Sequence, residues 1–183
     1  MKLSRFLILT STIIMLAFSS NIMAQKYVGV KKCAMCHKSK KIGAQYKIWK
    51  KTKHAKAYET LKTEKADKIS MKKDGKKAVD NPNCLKCHVT AYGVDKSLLG
   101  KKFKMENGVQ CETCHGPGSK YKKKKIMKNH AKAVANGLVE YKTKADIEKK
   151  CKTCHNEKSP SYKGFDFEKR WKEIAHYIPG KKK

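Results

Sequence analysis

Four stretches of the chain place apolar residues at the three- and four-residue intervals of a helix: 42–61, 126–136, 145–155 and 166–177. In the first, Ile42, Tyr46 and Trp49 share one face and His54, Tyr58 and Leu61 share another. Lys53 interrupts the line between them, which predicts a kink near Thr52. In the second, Met127, His130, Ala131, Val134 and Leu138 form one apolar stripe with an imidazole inside it. In the fourth, Phe167, Trp171, Ile174 and Ile178 line one side, and His176 lies nearly opposite, in the last turn before Pro179. Breakers fall at Asn81-Pro82-Asn83, Gly116-Pro117-Gly118, Ser159-Pro160 and Pro179-Gly180, and no alternating run marks a strand. The pattern predicts a mainly α chain of short helices and long irregular connections.

The longest apolar run stands apart at the start. Lys2 and Arg5 precede the stretch 6–18, broken only by Thr10, Ser11 and Thr12, and Ile22-Met23-Ala24 offers a cleavage site. This reads as a secretory signal over 1–24, followed by one domain over 25–183 and a periplasmic location. A retained anchor would need roughly 20 apolar residues, more than this run supplies. Export leads to an oxidising compartment, where cysteines normally pair as disulfides.

Cysteine spacing points elsewhere. All eight Cys fall in four copies of C-x-x-C-H: Cys33 and Cys36 with His37, Cys84 and Cys87 with His88, Cys111 and Cys114 with His115, and Cys151 and Cys154 with His155. This is the attachment pattern of haem c, in which two thiols add to the porphyrin vinyl groups and the adjacent imidazole ligates the iron. Zinc ribbons and thioredoxin-like motifs also use C-x-x-C, but they do not place a His after every pair. Four covalent haems follow. They also explain a composition that is 33% charged, with much of its 39% hydrophobic content spent on the leader and the cysteines. Porphyrin faces supply the apolar surface that side chains lack, so the fold is expected to be haem-directed. The 51 positions from Cys33 to Cys84, the widest gap between motifs, leave room for an extra helical excursion.

Seven histidines minus four proximal ones leave His54, His130 and His176 as distal ligands. Three cannot serve four irons. Either one haem is open, or Met71, Met105, Met127 or a Lys completes it. An exposed or merely packed imidazole is the alternative for each spare His, and spacing alone leaves His176 undecided.

Several segments resemble the tetrahaem cytochrome c-554 family of nitrifying bacteria and its relatives. They are Trp49 with His54-Ala55, Cys84 to His88 followed by Val89-Thr90-Ala91-Tyr92-Gly93, the run Gly108 to Ser119 with its Gly-Pro-Gly, and Phe165-Asp166-Phe167-Glu168 with Ile174-Ala175-His176. The resemblance implies a mostly helical fold, haems stacked in close pairs, three bis-His irons and one open high-spin iron. Carried over by position, the open haem is the second, bound through Cys84 and Cys87 with His88 as its protein ligand.

Charge bears on partners. The chain carries +30, and removal of the two cations in 1–24 leaves +28 before haem propionates offset part of it. Export removes nucleic acid as a partner, and phosphate readers favour Arg, of which only Arg170 remains beyond residue 24. Lys122 to Lys125 and Lys181 to Lys183 could meet an anionic membrane surface. The favoured reading is steering towards an acidic redox protein. Two functions stand: an electron carrier, which by the resemblance would accept electrons from a hydroxylamine-oxidoreductase-like donor and pass them to a membrane-linked acceptor, or a reductase of a small ligand such as nitric oxide at an open iron. The oligomeric state stays open.

Overall fold

A computed structural model describes residues 24–180. The expected signal and the Lys181 to Lys183 cluster therefore lie outside the described residues, apart from Ala24. The helices in chain order are α1 (Val30–His37), α2 (Gln45–Lys51), α3 (Ala57–Leu61), α4 (Glu64–Asp74), α5 (Pro82–His88), α6 (Cys111–His115), α7 (Lys124–Met127), α8 (His130–Ala135), α9 (Lys144–Lys152) and α10 (Phe167–Ile174). The architecture is mainly α with loops between short helices, and the described residues contain no strand beyond one isolated bridge between Tyr27 and Leu99.

Local chemistry sets these boundaries. The Thr63 hydroxyl accepts from Ala66 N at 3.2 Å to start α4, with Glu64 and Asp67 in its first turn and Lys72 and Lys73 in its last, as the helix dipole favours. Gly75 ends it in the left-handed region at φ 64. Pro82 opens α5 behind an Asn81 side chain that accepts from Asn83 N. Thr143 and Asp146 form a reciprocal capping box on α9.

The kink expected near Thr52 is a full break. Thr52 is extended at ψ 164, and its hydroxyl donates to Trp49 O at 2.7 Å, so 42–61 divides into α2, a turn through His54–Lys56, and α3. Helix α4 occupies the expected excursion between the first two motifs. The stripe expected over 126–136 is interrupted, because Asn129 Oδ1 accepts from Lys132 N and begins a new helix there. His130 is thus the first residue of α8 and exposed, on a different helix from Met127. Helix α10 ends at Ile174, since Ala175 is extended, and His176 follows in the departing backbone.

The core is small. Val28, Val30, Leu61, Ala78, Val89, Tyr121, Ala133 and Phe167 are its buried apolar residues, joined by buried Ser70, Asn81, Thr90, Gln110 and Glu112. Among the described residues, eight buried apolar side chains make a slender core.

Candidate functional site

Helical winding explains the motif. Residues three and four apart share a helix face, so the two thiols and the imidazole of C-x-x-C-H project together. The first three motifs lie in α1, α5 and α6, and the fourth spans the end of α9 and the turn after it. All eight cysteines are free of disulfides.

The motifs meet in two pairs. Helix α1 packs on α6, and the neighbouring thiols shift each other, Cys33 upward and Cys111 downward. Cys87 is pushed up to about 11 by burial first and then by neighbouring Cys154. Burial likewise pushes Cys114 up to about 11. The first motif thus neighbours the third, the second neighbours the fourth across the cleft at Cys87 and Cys154, and Cys114 of the third also lies near Cys151 and Cys154 of the fourth.

Imidazoles form two pairs as well. The His115 and His176 rings lie 5.9 Å apart between centroids, and so do the His54 and His155 rings. With metal–nitrogen bonds of about 2 Å, two imidazoles on one ion have ring centres about 6 Å apart. Burial holds His115 down at about 4, helped by His176 and His37. His54 is lowered by burial and then by His155, and His155 by burial, Arg170 and His88. Each is neutral at neutral pH, the form whose ring nitrogen can bind a metal.

Backbone and amide acceptors orient three rings, the paired His176 among them. His88 Nδ1 donates to Ala57 O at 2.7 Å, His176 Nδ1 to Ile174 O at 2.9 Å, and His37 Nδ1 to Gln45 Oε1 at 3.1 Å. Gln45 is itself fixed by its amide nitrogen donating to Ile42 O. An acceptor on Nδ1 leaves Nε2 facing outward with its lone pair, as a ligating histidine requires. The His155 ring also stacks on Phe165 at 4.6 Å and 16°. His130 differs: its Nε2 meets exposed Glu140 Oε1 at 2.5 Å. His37 and His88 enter neither imidazole pair.

The scan against family models matches residues 32–116 to "Cytochrome c554 and c-prime". Cytochrome c-554 of Nitrosomonas europaea is 34% identical over 149 residues, which cover 75% of this chain and 61% of that one. The chain belongs to the cytochrome c-554 family. The chain spans 61% of the length of the curated relative it matches. No solved structure matches it significantly.

Family membership brings covalently bound haem c, and the residues fit that group. Thiol pairs occupy one helical face with a following imidazole, and the His115–His176 and His54–His155 rings lie close enough that each pair could hold one metal ion. A cleft of about 430 Å³ opens at Cys87 and Cys154, lined also by Tyr27, Thr90, Tyr92 and Glu112. This lies within the range of ligand and cofactor clefts.

One organising residue escaped the sequence reading. Glu112, 2% exposed, accepts from Val28 N at 2.8 Å, Gly29 N at 2.7 Å and Gly118 N at 2.7 Å. A buried carboxylate is costly unless satisfied, and here three backbone donors compensate it. Gly29 sits at φ 83, and a Cβ there would meet Lys102 O at 2.7 Å, so the segment approaches as only glycine allows. The available signal was that Glu112 is the one acidic residue among the spacer positions of the four motifs. Phe165, which stacks on His155, lies in a segment that carries the resemblance, whereas Gln45, which orients His37, carried no signal.

Proposed function

We propose that the chain is an exported, periplasmic electron carrier holding four haem c groups, with residues 1–24 as a cleaved signal and 25–183 as the haem-bearing domain. The observation that supports this best is the meeting of the first motif with the third and of the second with the fourth, at Cys33–Cys111 and Cys87–Cys154. Four attachment sites gathered into two close pairs suit electrons that arrive two at a time. The haem iron supplies the one-electron chemistry by alternating between ferric and ferrous states.

The chain's own residues position and insulate these groups. Cys33, Cys36, Cys84, Cys87, Cys111, Cys114, Cys151 and Cys154 fix the porphyrins, and His37, His88, His115 and His155 provide proximal nitrogens. His176 completes the His115 iron and His54 the His155 iron, as their facing rings suggest. His130, the remaining histidine, is assigned to the His37 iron by elimination once the resemblance makes the His88 iron the open one. Taking that role requires His130 to leave Glu140. By the resemblance the open haem is the second: His88 has Nδ1 anchored on Ala57 O, and its ring, like that of His37, enters neither imidazole pair. The donor is a hydroxylamine-oxidoreductase-like protein, acidic at its docking face, and the acceptor is membrane-linked.

Reduction of a small ligand such as nitric oxide at the open iron is the second reading. That chemistry needs a proton donor. Thr90 is unsuited: its buried hydroxyl is engaged with Gly108 O, Thr113 Oγ1 and Gln110 N. Tyr92 and Lys86, which line the cleft beside Cys87, are the remaining candidate donors, whereas electron transfer needs none. Titration with nitric oxide followed by turnover is the test. Binding at one haem in four with slow turnover fits the carrier; rapid multiple turnover with consumption of nitric oxide would replace it with the reductase.

A further inference from the structure

Positive charge is not spread evenly. Residues 24–58 contain eleven lysines and no Asp or Glu, and residues 113–139 contain seven lysines and no Asp or Glu. All 15 acidic residues fall outside these two stretches. The fold joins them into one body: Lys26 N donates to Ser119 Oγ at 2.8 Å, Ser119 N donates to Lys26 O at 3.1 Å, and Gln25 donates to Asn136 O. Glu112, the acid nearest this junction, is buried and consumed by backbone donors, so it does not neutralise the surface. Among the described residues, none of these eighteen lysines is in an ion pair, whereas Lys62, Lys68, Lys144 and Lys152 in the rest of the chain are. The molecule is therefore electrically polarised, with the first motif at its purely cationic end.

That end also carries an apolar point. Met35, between Cys33 and Cys36, is 68% exposed. Lys31, Met35 and Lys38 follow one another at four- and three-residue intervals along α1, so they share a face, and exposed Lys40 and Lys41 follow directly. An apolar centre within a charged rim is the usual anatomy of a transient docking site.

We infer that the exposed face of α1, centred on Met35 and flanked by Lys31 and Lys38, is the docking surface for an acidic redox protein, so that electrons cross at the first haem. The inference rests on the carrier reading above and adds to it the place of contact. A second copy of the chain is excluded as occupant by its own like charge. A partner with carboxylates around an apolar patch complements both the rim and its centre.

The test is calorimetric binding of the holoprotein to an acidic flavodoxin, used as probe, at low and high ionic strength. Unaltered protein binds at low salt and weakens steeply as salt rises. The pair Lys31→Glu with Lys38→Glu lowers affinity about tenfold or more at low salt. The pair Lys65→Glu with Lys72→Glu, on exposed positions of α4, changes net charge equally and shifts affinity less than about twofold. Equal weakening by both pairs would show a net-charge effect and overturn the inference while leaving an acidic partner in place. No salt dependence in the unaltered protein would overturn the acidic-partner reading itself. Loss of binding to phosphatidylglycerol vesicles in the α1 pair, with flavodoxin affinity intact, would make the face a membrane contact instead.

Discussion

Glu112 joins the third motif to the N-terminal segment through three backbone N–H groups. Replacing it with Ala leaves those donors buried and unpaired, at about 1–3 kcal/mol each. Thermal unfolding of the holoprotein is expected to fall by several degrees or more, with Glu112→Gln losing less because its amide oxygen still accepts. Asp74 gives a pH prediction. Its carboxylate accepts from Asn81 and Asn83 side chains, chiefly Asn81, which hold it below the usual 3.8. A depressed folded-state value means that the contribution is complete above 3.8 and disappears as pH falls through the lower folded value. Asp74→Asn should flatten the acid limb of a stability–pH curve in that window and leave the curve's shape at neutral pH unchanged. The C-x-x-C-H motifs were legible from spacing because they are local, and the fold gives each a helical turn. The facing imidazoles were not: His54 and His155 are far apart in sequence, and only the folded chain brings their rings together.

At the level of elements, sequence pattern succeeded where polarity changed and failed where it did not. Lys53 visibly interrupts an apolar face, and the break at Thr52 follows. Met127 and His130 are three apart, so their spacing fits one helix equally well. The Asn129 side chain decides otherwise by satisfying Lys132 N. A cap of this kind is worth about 1 kcal/mol. Asn129→Ala should therefore lower stability by about that amount, readable as a shift in the denaturation midpoint. Should the variant match the parent, the cap would not be what divides α7 from α8. His176 was undecided on helical spacing because its direction is set after α10 ends, where Ala175 turns the chain towards His115.

At the scale of the whole molecule, the short list of buried apolar side chains and the polarised lysine field have one explanation, a cationic shell organised around haem. Chain prepared without haem attachment is expected to show no cooperative melt; a sharp transition would mean that the side chains suffice. Composition pointed to this shell, but the restriction of acids to one part of the fold became meaningful only when 24–58 and 113–139 were found side by side. The central claim is four haems served by seven histidines, with the His88 iron open. Magnetic circular dichroism of the oxidised holoprotein, quantified per haem, tests it most directly. Three low-spin haems to one high-spin haem is the predicted result, and an entirely low-spin spectrum would contradict it.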